Sequence, residues 1–267
     1  MERAGGYTFD VTVCRLQFTA RGALHFASGK PANVARGVLG SALHATPAYA
    51  RVFAPRAASG PSGLRDVPRP FVLRAAHLDG RMIEAGGEFY IDAHLFDTRD
   101  AFMEEIQAAF PEWRRAAFAG ALVSRVSVSL DAPPDPIDKL RIRFLTPTEL
   151  KSGARIVDRP EFPILFARAR DRVSTLRAAY GPGPLEIDFA GLAERAGRVR
   201  MTLCETRHTS VERHSKGTGQ RHPIGGFTGH AEYEGELGEF LPILRAAEWT
   251  GVGRQTVWGN GALSVEV

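Results

Sequence analysis

The feature that most constrains this chain is one order of elements repeated on either side of Ala132-Pro133-Pro134-Asp135-Pro136. Three prolines in five residues remove backbone donors and interrupt every helix or strand period, as a linker between two units would. After it, residues 140–145 alternate as a strand. Residues 162–179 carry a helical period ended by Tyr180-Gly181-Pro182-Gly183, and residues 199–206 and 226–233 read as strands. A helix near 237–247 and a strand over 262–267 complete the order β-α-β-β-α-β. The first half reads similarly, with strands at 11–19, 71–75, 88–96 and 122–130 and helices at 34–45 and 98–109. Two copies of this split pattern predict an α+β protein of two tandem ferredoxin-like (RRM-like) domains, residues 1–131 and 137–267. Each half is long enough to bury a core of its own.

Such a scaffold carries many functions, RNA recognition among them, so the activity must be read from particular residues. The 34 basic and 30 acidic side chains give a net charge of only +4, which by itself does not imply nucleic acid. Thirty of the 34 are Arg, a weak pointer to phosphate, since a GC-rich genome also favours Arg codons. Cys14 and Cys204 lie in separate strand-like stretches, far from any partner at metal-ligand spacing, and read as buried thiols of a reducing compartment. The first residues contain no apolar run of signal-peptide type, and no window approaches a membrane span. The expectation is a cytoplasmic protein with no metal, no cofactor and no membrane partner.

Gly251-Val252-Gly253-Arg254-Gln255-Thr256-Val257-Trp258-Gly259-Asn260-Gly261 lies between the last predicted helix and the terminal strand. Four glycines let backbone approach a ligand closely, and their N–H groups suit an anion. A turn that only lets a helix pack on a sheet fits the spacing equally well. A nucleotide P-loop does not, because it needs Gly-Lys-Ser/Thr opening a helix, and here a strand follows.

The stretch from Phe240-Leu241-Pro242-Ile243 to Trp249-Thr250, continued by the glycine loop, resembles the end of the CRISPR repeat-processing endoribonucleases of the RAMP superfamily. Other segments carry the resemblance in the same order along the chain. They are Ala35-Arg36-Gly37-Val38-Leu39-Gly40, Phe53-Ala54-Pro55, Ser62-Gly63-Leu64, Pro68-Arg69-Pro70-Phe71, Phe144-Leu145-Thr146-Pro147-Thr148 and Ile224-Gly225-Gly226-Phe227-Thr228-Gly229. The resemblance implies metal-independent cleavage of a CRISPR precursor transcript within its repeats, leaving 5′-hydroxyl and 2′,3′-cyclic phosphate ends. It implies CRISPR repeat RNA, as precursor and product, and other CRISPR effector subunits as partners. It also places Gly251, Gly253, Gly259 and Gly261, with Arg254 between them, at the RNA-binding surface.

Cleaving RNA without a metal needs a base for the 2′-hydroxyl proton, an acid for the leaving oxygen and positive charge at the phosphate. Histidine suits the first two roles. On a helical wheel Val34, Ala35, Val38, Leu39, Ala42, Leu43 and Ala45 share one half-circle, and Arg36, Gly37, Gly40, Ser41 and His44 the other. His44 therefore faces outward in the last helical turn, with Arg36 about 12 Å along the axis on the same face, suitable for an adjacent phosphate. The resembled family usually places a catalytic histidine at or near this helix. His25 is the competing candidate, expected across a cleft from the helix, and Tyr49 is a source of a phenolic proton or a stacking ring. His77 and His94 read as structural.

Residues 207–222 form the strongest electrostatic feature, with Arg207, Arg213, Lys216 and Arg221 against Glu212 alone. Composition fits equally a basic hairpin whose flexible Ser215–Gln220 tip orders on RNA and a solvated charged hairpin; the resemblance favours the first, since it implies basic residues here for the repeat's backbone or stem. Two other functions fit the same chain. One is a non-catalytic guide-RNA-binding subunit of an interference complex. The other is an unrelated ferredoxin-like regulator or metabolite-binding protein.

Overall fold

The computed structural model describes residues 7–55, 67–100, 102–113, 115–214 and 221–267. The first half begins with the 13-residue strand β1 (Thr8–Ala20), the short β2 (Leu24–His25) and two consecutive helices, α1 (Pro31–Leu43) and α2 (Ala48–Phe53). Strands β3 (Phe71–Arg74), β4 (Met82–Ile83) and β5 (Glu88–Leu95) follow, then helix α3 (Met103–Ala108), β6 (Glu112–Trp113) and the long β7 (Ala116–Ser129). The sheet order is β3-β5-β1-β7-β6, all antiparallel, with β2 and β4 paired apart from it. In the second half β8 (Lys139–Thr148) leads into a small ribbon of β9 (Leu150–Ser152) and β10 (Arg155–Val157). Helices α4 (Phe162–Tyr180) and α5 (Phe189–Ala196), strands β11 (Arg200–His214) and β12 (Arg221–Glu234), helix α6 (Leu241–Thr250) and β13 (Leu263–Glu266) complete it. Its sheet order is β11-β12-β8-β13. Both sheets place the first long strand between the third and fourth of their repeat, the ferredoxin-like arrangement expected from the sequence.

The buried residues of β1 change parity along the strand. Phe9 and Val11 join the core of the second half, whereas Cys14, Leu16 and Phe18 join the core under α1. Val72, Phe96 and Leu130 also belong to the second core, beside Phe162, Phe166 and Leu244 of α4 and α6. The first sheet therefore packs on α1 and α3 with one face and on α4 and α6 with the other. The second sheet covers the far side of α4 and α6, so four layers stack as helix, sheet, helix, sheet.

Helices α3 and α6 begin later than expected for local reasons. α3 begins at Met103 rather than 98 because the Asp97 carboxylate accepts from the amides of Arg99 (3.1 Å) and Asp100 (3.3 Å), closing a turn where a helix was expected. α6 is displaced toward the C-terminus because Pro242 occupies its first turn, where a missing N–H costs nothing. α5 was not anticipated, although Asp188 caps it by accepting from the Gly191 amide at 2.9 Å. Cys14 is buried, its thiol raised to about 11 by burial and by Asp92, while Cys204 is only half-buried, against expectation.

The halves are joined at the C-terminal end of α6, whose last carbonyls lack helical donors and carry the negative end of the helix dipole. Arg74 of β3 donates to the carbonyls of Glu248 (3.4 Å) and Trp249 (3.3 Å), and Arg172 of α4 donates to that of Thr250 (3.0 Å). His94 of β5 donates from Nδ1 to the Trp249 carbonyl at 3.0 Å. Burial pushes Arg74 down to about 10 and Arg172 to about 9, and burial with the charge of Arg74 lowers His94 to about 4. An unfolded histidine binds its proton below about pH 6.5, but the folded one holds out to about 4, so the unfolded state binds more protons between those values. Stability should be full above pH 6.5 and fall by about 3 kcal/mol as the pH drops to 4. Denaturant unfolding across that range checks it, and His94→Asn, which keeps a neutral donor, should lose this part of the slope.

Candidate active site

Helix α1 buries Pro31, Ala32, Ala35, Leu39 and Leu43, a stripe of i, i+3, i+4 spacing against the first sheet. The stripe is narrower than the wheel implied, and Val34, Ala42 and Ala45 lie exposed. The opposite face agrees with the wheel. Arg36, Gly37, Gly40, Ser41 and His44 line a cavity of about 480 Å³, closed on its other side by Tyr49 and Phe53 of α2.

Two short helices meeting at a tight turn create this cavity. α1 ends at Leu43 with His44 as its cap, and the Thr46 amide and hydroxyl both donate to the Leu43 carbonyl at 2.8 Å. Pro47 then starts α2. The turn brings the His44 ring within 5.0 Å of the Tyr49 ring, and Tyr49 stacks on Phe53 at 5.4 Å. α2 was missed in the sequence, although Thr46-Pro47 and the i, i+4 pair Tyr49 and Phe53 were its signal. Gly40 has a packing reason, since an added Cβ would lie 3.4 Å from the Phe53 ring. Gly37 would meet nothing within 4 Å and leaves the cavity mouth open. The Arg36 guanidinium lies 5.4 Å from the Phe53 ring centre and 5.6 Å from that of Trp258, which comes from the glycine loop of the other half.

That loop corrects the expectation of an amide cradle. The amides of Gly251, Val252, Arg254, Gly259 and Gly261 donate to the carbonyls of Ala247, Gly261, Glu149, Thr256 and Pro147 at 2.8–3.0 Å. All four glycines have positive φ, and each sits against the protein itself. A Cβ on Gly251 would lie 3.1 Å from the Gly261 carbonyl oxygen, and one on Gly253 would lie 2.3 Å from that of Glu149. On Gly259 it would lie 2.5 Å from Ala32 of α1, and on Gly261 2.0 Å from the Val252 carbonyl oxygen. Close packing on the protein itself is sufficient reason for glycine at all four positions. What the loop presents outward is Trp258, laid on Arg36, and Arg254, exposed and paired with Glu149.

His25 is not brought to the cavity. It stands exposed on β2, paired with Met82, and is not among the residues that line the cavity. His77 lies on a 3-10 turn, stacked on Tyr90 at 4.2 Å. The basic hairpin is real as backbone, since β11 and β12 pair out to His214 and Arg221. Arg207 is exposed on it. Lys216 and the side chains of Arg213 and Arg221 lie outside the described residues.

The first sheet is covered by helices on one face and only in part on the other, where Arg15 lies over the Tyr90 ring and Leu122 is 59% exposed. The open face of the second carries Lys139, Arg141 and Arg143 of β8 paired to Glu234, Glu232 and Glu266, with no Phe, Tyr or Trp among them. Among the described residues no three His, Cys, Asp or Glu side chains gather as metal ligands, and no helix is long and apolar enough to cross a membrane.

Residues 142–263, a little under half of the chain, match the family of the CRISPR-associated endoribonuclease Cas6. No curated protein matches the sequence. Among solved structures, the Thermus thermophilus Cas6 in a product complex is 20% identical with a TM-score of 0.65, over 97% of this chain and 100% of that one. A second Cas6, in a substrate mimic complex, is 19% identical with a TM-score of 0.59 over 97% and 100%. The chain also resembles part of a partial Cas6-RT-Cas1–Cas2 complex, at 11% identity and a TM-score of 0.63, over 98% of this chain and 46% of that one. Residues 142–263 are thus similar in sequence to the Cas6 family, and the fold over nearly the whole length is similar to that of solved Cas6 structures.

Proposed function

We propose that this protein cleaves CRISPR precursor RNA within its repeats, without a metal, leaving 5′-hydroxyl and 2′,3′-cyclic phosphate ends. The observation that carries this reading is the cavity that holds His44, Tyr49 and Arg36 at one opening. In the proposed step the 2′-oxygen bonds to the adjacent phosphorus as the bond from phosphorus to the 5′-oxygen breaks. One group of the His44–Tyr49 pair takes the 2′-hydroxyl proton, and the other gives a proton to the departing 5′-oxygen. Arg36, oriented by Phe53 and Trp258, faces the charge that builds on the phosphoryl oxygens. Repeat RNA is then both substrate and product partner. The Cas6 structures solved with product and with substrate mimic support it, and the Cas6-RT-Cas1–Cas2 complex supports further CRISPR subunits as partners.

Incubation of the protein with end-labelled repeat RNA in EDTA tests the reading. One cut per repeat is expected, with a 5′-hydroxyl that polynucleotide kinase labels directly, and a 2′-deoxy nucleotide at the scissile position should abolish it. Tight binding without cleavage would instead make the chain a guide-RNA-binding subunit. Neither binding nor cleavage would point to a regulator or metabolite-binding protein.

A further inference from the structure

A second cavity, of about 250 Å³, lies away from α1, between the β9–β10 ribbon and the β11–β12 hairpin. Its walls include Thr148, Glu149, Ile156, His208, Thr209 and Gly226. Gly226 has a positive φ of 150°, and a Cβ there would lie 2.4 Å from the Thr148 carbonyl, so only glycine lets β12 come down onto the end of β8 and form this floor. The His208 Nε2 atom sits 3.4 Å from the Asp158 carbonyl oxygen, tying the end of the ribbon to β11, with the ring edge-on to Phe227 at 6.1 Å. Ile156 is 44% exposed at the mouth, a large apolar side chain left open to solvent.

The segments that border the mouth are basic. Residues 151–159 carry Lys151, Arg155 and Arg159 against the single acid Asp158, and Arg207 precedes His208 on the facing strand. None of these four cations makes an ion pair with another described residue, whereas the cations on the open face of the same sheet are paired. An apolar slot with polar walls, too small for a drug-sized ligand and bordered by segments that carry unneutralised cations, suits one planar base whose flanking phosphates stay outside. The wall residue Glu149 is held by Arg254, so the glycine loop touches this slot at Arg254 and the α1 cavity at Trp258.

We propose that the slot is a nucleobase subsite, taking one unstacked base of the repeat RNA while Lys151, Arg155 and Arg207 contact the phosphates on either side. The inference rests on the reading of this chain as a repeat-RNA enzyme and adds where the enzyme reads a base remote from the cut. An RNA running over the glycine loop would meet both cavities.

The test is an abasic scan. A repeat RNA carrying one abasic nucleotide at each position in turn is titrated against the wild-type protein and against Thr209→Trp, in which the indole fills the slot. One position should raise the wild-type Kd about tenfold when abasic and raise the Kd of the filled variant by less than twofold, because the contact is already lost there. Additive effects at every position would overturn the proposal. Thermal melting of Thr209→Trp guards against misfolding. If that variant does not fold, Lys151→Glu and Arg155→Glu on the exposed ribbon decide. Each should weaken RNA binding and lower the slope of log K against log salt by about 0.7–0.9, and unchanged slopes would overturn the proposal. Wild-type cleavage without a coupled position sinks only the subsite, whereas absence of RNA binding by the wild type sinks the proposed function with it.

Discussion

Replacing His44 by alanine should lower the single-turnover cleavage rate by about 10²–10⁴-fold while leaving the Kd for repeat RNA within a few fold. His44 is exposed and its ring contact is with Tyr49, so truncation leaves no buried hole and the fold should persist. Tyr49→Phe is the companion variant. It keeps the ring stacked on Phe53 and removes only the hydroxyl, so a rate loss would assign proton transfer to that oxygen, and an unchanged rate would leave Tyr49 as a positioning ring. His25→Ala should cleave at the wild-type rate, because His25 does not line the cavity. A wild-type rate for His44→Ala would remove His44 from the mechanism.

The second large effect is expected at Gly261. Its φ is +70°, and an alanine Cβ would lie 2.0 Å from the Val252 carbonyl oxygen, an atom held in place by backbone on both sides. Left-handed strain and this contact together should destabilise Gly261→Ala by about 3 kcal/mol or more. That corresponds to a fall of about 6–12 °C in Tm. If Gly261 served chiefly as a phosphate contact, the same substitution would weaken RNA binding and leave Tm unchanged. Gly37 supplies the contrast. It has no neighbour within 4 Å and lies inside α1, so Gly37→Ala should gain about 1 kcal/mol of helix propensity and raise Tm.

The candidate site was partly legible before the structure. The outward face of α1 that carries Arg36 and His44 follows from the 3.6-residue period, because a helix must bury its apolar stripe and leave the rest to solvent. Tyr49 could be named but not placed, since α2 is only six residues long and its start depends on the turn at Thr46 and Pro47. Trp258 was read merely as a member of the glycine loop. Nothing local indicates that a residue 222 positions along the chain will lie on Arg36. The ribbon cations Lys151, Arg155 and Arg159 were overlooked because they are spread over nine residues, and only the pairing of β9 with β10 and the contact of His208 with Asp158 gather them around one opening.

The sequence by itself determined the duplicated β-α-β-β-α-β order and the resemblance to a repeat-processing family. Strand alternation, helical period and proline breaks are local properties, and they survive in any correct tertiary arrangement. Only the tertiary structure decided what the glycines of residues 251–261 are for. Read locally, a glycine marks a backbone that must come close to something, and both a phosphate and the protein's own main chain meet that description. In the folded chain the close neighbours are Glu149, Ala32 and Val252, so the loop is a packed joint that lays Trp258 of the second half on Arg36 of the first.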